Sequence, residues 1–555
     1  MMKINSLNKI NFIKSTDLLY AQRTGISKED ELFNNLTADF KLSKPFDYQI
    51  AFFKHNEIYH CFLAPVYKLK KSRFCFPEPL IFQALFDERF IEESDYCVLN
   101  LYDQTLYLYF YQEGKFINLK KIENIKTNKI NLFFKKRFIM FVKNVNFYYR
   151  QILEKFENSY FAEDLTKVII GIDCDYLDAN ELSFSEFKAK YYEALSKNKI
   201  CDFAGFFGVF SANFVSLFEK IPLSSKKNYD FPLFLFANAK AYLIYEKNSK
   251  MFFKFGASKY FEYLKDDIEP IKTKQKNDFE ILNSLEDEKN DFLKMCEKAK
   301  EYLLSGDIFQ VVLSKQLCIK HQVNAFDYYE SLSTLNPSAY MFYFPSKYGV
   351  VLGSSPEFLL KIKKREIYLA PIAGTRNLEN NCDLLALEKD LLSDEKELSE
   401  HKMLVDLARN DASKFGTQTR VENLFSIIKN KFVMHIVSEV YANMKEDASI
   451  FDVIEAVFPA GTLSGAPKIR ALEIISELED CDRGVYGGAV GFLNFNEDIT
   501  LAILIRCAFF TQDKAYLASG AGIVLQSESQ KEYAEICAKR RALLVAFENL
   551  KKENQ

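Results

Sequence analysis

Ala339-Tyr340-Met341-Phe342-Tyr343-Phe344, Gly349-Val350-Val351-Leu352-Gly353-Ser354, Phe358-Leu359-Leu360-Lys361-Ile362 and Ile367-Tyr368-Leu369-Ala370 follow one another with only turn-length breaks between them. Each is a short apolar or aromatic run of the kind that forms a half-buried strand. Phe309 to Gln316 supplies another strand ahead of them. Strands in series, without a helix between one and the next, predict an antiparallel α+β domain and argue against a parallel nucleotide-binding sheet.

Upstream, an amphipathic helix is predicted from about Glu286 to Ser305, stopped at Gly306. Lys265 to Asn290 is polar and charged and is the best linker candidate. Before it come a strand pair over Phe231 to Phe255 and a helix over Phe184 to Ser196. Residues 1 to about 170 are rich in Phe, Tyr and Lys and poor in Gly and Pro. Tyr96 to Leu119 reads as two or three strands, Asn144 to Glu157 as a helix, and Val168 to Ile172 as an apolar run. That order permits an α/β module but carries no phosphate loop, metal spacing or nucleophile. The expected division is therefore 1–175, 176–270 and 285–547.

A chain of 555 residues calls for more than one core. Its net charge of -3, with basic residues scattered among acidic ones, gives no reason to expect nucleic acid or an anionic membrane as partner. Eleven cysteines without a C-x-x-C pair read as the reduced cysteines of a cytoplasmic protein. The N-terminus has no continuous apolar core, and Ile130 to Tyr149 is cut by Lys135, Lys136, Arg137 and Lys143, so neither export nor a membrane span is expected.

Downstream, a histidine sits inside the apolar run Phe432-Val433-Met434-His435-Ile436-Val437-Ser438. A short polar linker is expected to lead to Phe458-Pro459-Ala460-Gly461-Thr462-Leu463-Ser464-Gly465-Ala466-Pro467-Lys468, a turn whose backbone amides could face an anion and which opens a helix to Glu477. His435 can equally be a core histidine, and the turn a plain connection. Glu397 and Glu400 lie three apart on a helix, and Glu532 and Glu535 repeat that spacing near the C-terminus. Four carboxylates could meet on one hard cation. Asp394-x-x-Glu397 and Ser529-x-x-Glu532 also fit capping boxes, which leaves Glu400 and Glu535 as the better ligands. Tyr486-Gly487-Gly488 and Ser519-Gly520-Ala521-Gly522 bring glycine where a backbone could approach a ligand. Arg506 interrupts the apolar strand Leu501 to Ile505, and a buried guanidinium needs an anion.

Together with Gly306 to Ser314, Asn336 to Tyr343, Pro371-Ile372-Ala373-Gly374-Thr375-Arg376 and Glu400 to Asp411, these blocks resemble the chorismate-utilising enzymes over about 290–545. Among them the resemblance is strongest to the large subunits of anthranilate synthases. It implies an α/β sandwich of two large antiparallel sheets, preceded here by an N-terminal region of unknown fold. It also implies Mg2+ on Glu400 and Glu535 with Glu397 and Glu532 in support. Arg506 and Tyr486 would hold the enolpyruvyl carboxylate of chorismate, helped by the Gly520 and Gly522 amides. Thr462, Gly465 and Lys539 would line the ring side, and His435 would act as general acid on the departing C4 hydroxyl.

Two positions narrow the chemistry that the resemblance implies. Water-adding relatives carry a lysine base where Gln310 stands, and an amide cannot replace it. Many aminodeoxychorismate synthases carry a lysine nucleophile where Ala373 stands. Ammonia attack at C2 and formation of anthranilate follow, with aminodeoxychorismate synthesis and a silent binding homologue as the other readings. No Gly-x-Cys-x-Gly elbow is present, so ammonia is expected from a separate glutamine amidotransferase subunit. Tryptophan-regulated relatives use a Leu-Leu-Glu-Ser motif that is absent and a proline where Ala339 stands. Asn336, Pro337, Tyr340 and Met341 otherwise match their regulatory site.

Overall fold

The computed structural model describes the strands of residues 1–140 and residues 145–552, apart from 198–202, 248–250, 266–276, 379–382 and 430–432. Two compact units divide the chain, Met1–Met140 and Phe141–Gln555. In the first, six of the described strands form two antiparallel three-stranded sheets. Leu19–Thr24, Ile58–Pro65 and Tyr48–His55 make one; Asp95–Tyr102, Thr105–Gln112 and Lys115–Ile122 make the other, where the sequence shows alternation.

The boundary at 175 expected from sequence is corrected to 140. Helix Val145–Lys155 and strand Lys167–Asp178 belong to the larger unit, because that strand is bonded along its length to Phe234–Glu246. Nor do 176–270 and 285–547 part company. Strand Gly205–Phe210 pairs with Ala489–Asn494, so the ladder crosses the polar stretch, whose residues 266–276 lie outside those described.

The serial strands appear as Gln310–His321, Tyr340–Ser346, Gly349–Ser355, Phe358–Lys363 and Glu366–Leu369, in an antiparallel ladder. The ladder folds back on itself. Phe207, Val209, Leu235 and Ala237 from one half meet Phe342, Phe344, Val351 and Phe509 from the other in a buried core. One outer face is covered by helices Phe184–Lys197, Glu395–Phe415 and Ile450–Val457. Helices Leu285–Leu304, Lys468–Leu478 and Ser529–Lys552 cover the other. The result is the expected two-sheet sandwich between helical layers.

One local expectation fails. No short polar linker follows Ser438: the strand runs on to Met444, and the helix Ile450–Val457 begins at a complete Ser449/Asp452 capping box. Six of its eight residues are buried, and the other two, Asp452 and Glu455, lie three apart on one face, so the amphipathic period is present but lasts only about two turns.

Candidate active site

Helix Glu395–Phe415 begins on Asp394, whose carboxylate accepts the N–H groups of Lys396 and Glu397. Arg376, on strand Ile372–Asn377, fastens that start through Asp390 at 2.6 Å, Asp394 at 2.9 Å and Glu397 at 3.8 Å. The anticipated cap is thus real, while the Glu397 carboxylate is drawn towards Arg376.

From this helix Glu400, and from helix Ser529–Lys552 Glu532 and Glu535, join Glu397 in one electrostatic cluster. Burial, reinforced by the other three glutamates against the pull of Lys396, pushes Glu400 up to about 7. Burial also raises Glu397 and Glu532, with Asp394 and Glu535 adding to the first and Glu535 to the second. Lys396 stands 3.9 Å from Glu400 and Lys539 2.7 Å from Glu535. Among the described residues, no three His, Cys, Asp or Glu side chains are placed to hold one ion as they stand. The donor set nevertheless fits a hard divalent cation: oxygen only, from two helices, with a charge that each carboxylate worsens for the others.

Lys539 leads to a second cluster. Its Nζ donates to the Gly520 carbonyl at 2.9 Å, and its charge favours the ionised form of Glu357. Glu357 was not singled out from sequence. Ser354-Ser355-Pro356-Glu357 reads as a turn, and only the carboxylate immediately ahead of the apolar Phe358-Leu359-Leu360 hinted at burial. Thr462 Oγ1 donates to Glu357 Oε1 at 3.1 Å. Burial still prevails over Thr462, Lys539 and Arg506 and pushes Glu357 up to about 7. A cleft opens here, lined by Glu357, Thr462, Pro371, Leu404 and Ala408 among others.

Arg506 does break its strand: Ile499–Ile503 ends before it and Cys507–Phe510 begins after it. Its backbone is left-handed, at φ +50°, which costs a non-glycine residue roughly 1 kcal/mol. The Ser354 N–H donates to its carbonyl at 3.0 Å, fixing the turn beside Glu357. The guanidinium is largely buried and is held below the usual arginine range by burial, which Tyr486 and Glu357 oppose. No ion pair to it forms among the described residues. Tyr486 is buried close by, and its hydroxyl lies 3.0 Å from where a Cβ on Gly520 would stand.

His435 lies on strand Val433–Met444 with Nδ1 2.9 Å from the Gly374 carbonyl, so Nδ1 carries the proton. Burial and the Arg506 charge lower its pKa. The shift favours the neutral imidazole, opposed by the Gly374 carbonyl, which favours the charged form.

The turn before helix Lys468–Leu478 corrects another expectation. The Leu463 and Ser464 amides are taken by the Ala460 and Gly461 carbonyls at 3.0 and 3.3 Å, so these two cannot face an anion; Thr462 contributes its hydroxyl instead. Gly465 is required for packing: at φ +139°, a Cβ there would stand 2.1 Å from the Gln310 carbonyl. The buried pair Glu479–Arg483, also missed from sequence, locks this region. Arg483 donates to the Leu463 and Val312 carbonyls at 2.6 and 2.7 Å, and Glu479 accepts from the Ser314 N–H at 2.8 Å. Gln310 Nε2 reaches to 2.6 Å from the Cβ position of Gly522, while its buried Oε1 has no hydrogen-bond partner. Ala373 is on strand Ile372–Asn377, opposite Ile436.

The residues matched to a regulatory site lie elsewhere on the ladder. Asn336 ends helix Ala325–Leu335 and donates to Ser354 Oγ at 3.3 Å; Pro337 is exposed. Tyr340 begins the next strand, and Met341 is buried opposite Glu163 of strand Tyr160–Glu163. The six described cysteines are free, and no described helix is long and apolar enough to cross a membrane.

A sequence profile described as a chorismate binding enzyme matches residues 148–545. Over 279 residues the chain is 47% identical to anthranilate synthase component 1 of Acetivibrio thermocellus, covering 50% of this chain and 56% of that protein. Over 263 residues it is 45% identical to the Aquifex aeolicus protein of that name, covering 47% and 53%. The chain thus spans about half the length of these curated relatives. The crystal structure of anthranilate synthase component I from Streptococcus pneumoniae is similar at 28% identity and a TM-score of 0.57, over 73% of this chain and 95% of that one. The menaquinone-specific isochorismate synthase of Escherichia coli shares the fold, with a TM-score of 0.59 at 14% identity over 85% and 100%.

Proposed function

From the premise that this chain belongs to the chorismate binding enzymes, we propose that it converts chorismate and ammonia to anthranilate, pyruvate and water, the opening step of tryptophan biosynthesis. The observation that carries this reading is Glu357. It is a buried carboxyl still protonated near neutrality, seated between Thr462, Lys539 and Arg506.

A group that keeps its proton near pH 7 yet can release it is what departure of a hydroxide requires. Glu357 donates that proton to the C4 hydroxyl as ammonia forms its bond to C2 and the ring double bonds shift. Ammonia brings its own lone pair, so no base is needed at Gln310; the open Oε1 accepts one of its N–H groups instead. The ammonium nitrogen formed at C2 then loses one proton, which returns to the Glu357 carboxylate, leaving the amine and water. Elimination then takes the proton from C2 and releases the enolpyruvyl group as pyruvate, leaving an aromatic ring. His435, neutral with its proton on Nδ1, is built to accept that proton rather than to supply one.

Arg506 and Tyr486 hold the enolpyruvyl carboxylate, and Thr462 and Lys539 orient the ring edge. Glu400 and Glu535, with Glu397 and Glu532 behind them, would hold Mg2+ once drawn away from Lys396 and Lys539. Bound there, Mg2+ would neutralise and position the ring carboxylate. A glutamine amidotransferase subunit supplies ammonia, and the enzyme works in the cytoplasm.

Incubation of the purified chain with chorismate, MgCl2 and ammonium chloride, followed by chromatography with fluorescence detection, tests the reading. Anthranilate and equimolar pyruvate are expected. Aminodeoxychorismate, isochorismate or no turnover would overturn it.

A further inference from the structure

Met434, Ile436, Val440 and Ala442, alternate residues of strand Val433–Met444, are buried in an apolar contact with helix Glu395–Phe415, whose Leu398, Val405 and Ala412 meet them. One polar pair interrupts that contact. His401, the residue after Glu400, and Ser438, three residues after His435, are both fully buried. His401 Nε2 lies 2.6 Å from Ser438 Oγ.

The pair is held against opposing costs. Ser438 Oγ accepts the Phe425 N–H at 3.0 Å, so its own hydrogen is left for His401 Nε2. The imidazole proton then sits on Nδ1, which is buried without a hydrogen-bond partner. Strand Gly416–Lys429 is distorted opposite Ser438: its pairing shifts between Glu422 and Ser426, and Asn423 and Phe425 take left-handed φ values of +50° and +58°. Apolar side chains would fill such an interface with no loss of stability. What the polar pair adds is position, because it is satisfied in one register of helix against strand, whereas apolar surfaces accept several.

The register in question is that of Glu400 against His435, since the bond joins the neighbour of the first to the strand of the second. Ser438 N–H also donates to the Pro371 carbonyl at 3.4 Å, just ahead of the strand that carries Arg376. Arg376 ties Asp394 before Glu397 and Glu400, and Ser438 ties His401 after them. Resting on the metal assignment above, we propose that His401 is a positioning residue: through Ser438 it holds Glu397 and Glu400 where they meet Glu532 and Glu535 on one cation.

The test compares the full chain with His401→Leu, which removes the bond, and His401→Gln, whose amide can restore it. Mg2+ affinity is measured by calorimetry without chorismate, stability by thermal melts, and local opening by hydrogen–deuterium exchange of the metal-free chain. The proposal expects His401→Leu to bind Mg2+ at least tenfold more weakly, with an unchanged melting temperature and with faster exchange confined to the turns from Glu397 to Leu404. His401→Gln should return affinity and exchange to within threefold of the parent. Parental Mg2+ affinity in His401→Leu would overturn the proposal, as would a lowered melting temperature with faster exchange throughout the chain, which would make His401 an ordinary core residue. Should His401→Leu fail to fold, Ser438→Ala removes the same bond from the strand side and is expected to weaken Mg2+ binding at least fivefold; parental affinity there would count against the assignment. If the parent bound no Mg2+, the metal assignment above would fall, while exchange in the metal-free helix would still decide whether His401 sets its position.

Discussion

Glu400 and Glu357 are both carboxyls pushed up to about 7, yet their surroundings are opposite. Around Glu400 burial is joined by three further glutamates, and only Lys396 pulls the other way. Around Glu357 burial acts alone, against a hydroxyl and two cationic side chains. A divalent cation would relieve the first arrangement and do little for the second. On the proposed reading, the same perturbation therefore belongs to a metal ligand in one place and to a proton carrier in the other. The pKa alone does not tell them apart; the sign of the neighbouring charges does.

The largest effects should come from neutralising each in turn. Glu400→Gln and Glu357→Gln are both expected to lower kcat more than a hundredfold while remaining folded. They should separate when Mg2+ is added: thermal melts of the parent and of Glu357→Gln rise with MgCl2, and those of Glu400→Gln do not. Equal Mg2+ responses in both variants would erase the distinction.

Next in size is Arg506→Met. Losing the partner of a buried carboxylate typically costs 2 kcal/mol or more, about 30-fold in affinity, so KM for chorismate should rise by about that factor in steady-state assays. A KM within threefold of the parent would remove Arg506 from substrate binding.

Stability against pH gives a smaller effect. Both carboxyls keep a proton in the folded chain up to about 7, against about 4.5 in an unfolded chain. Their stabilising contribution is complete below the lower value and is lost as pH rises through the higher one, on the order of 1–2 kcal/mol each. Metal-free melting temperatures should therefore carry a downward slope between pH 5 and 7.5. Glu400→Gln should flatten it by about half, and a parental slope would contradict the burial of that charge. Smallest is Thr462→Val. The hydroxyl favours ionised Glu357, so its removal should move the alkaline limb of kcat upward by less than one pH unit; a downward move would reverse the assigned contact.

Much of this arrangement was legible in the sequence because it rests on local pattern. Alternation announced the serial strands, the charge directly after Leu501 to Ile505 announced the break at Arg506, and paired helical spacing announced the four glutamates. What the sequence hid depends on packing between distant segments. The raised pKa of Glu357 comes from burial and is tempered by Thr462, Arg506 and Lys539, which reach it from positions up to 182 residues further along the chain. The His435 pKa is lowered by burial and by Arg506, 71 residues further along the chain, against the pull of the Gly374 carbonyl. The boundary at 140 likewise follows from strand pairing across Lys167–Asp178 and Phe234–Glu246, not from any change in composition.

The most direct test of two carboxyls with unlike tasks is infrared titration of their protonation, assigned by difference against Glu400→Gln and Glu357→Gln, with and without Mg2+. The account predicts that at pH 6.5 Mg2+ abolishes the protonated signal of Glu400 and leaves that of Glu357 in place. Loss of both signals, or of neither, would contradict it.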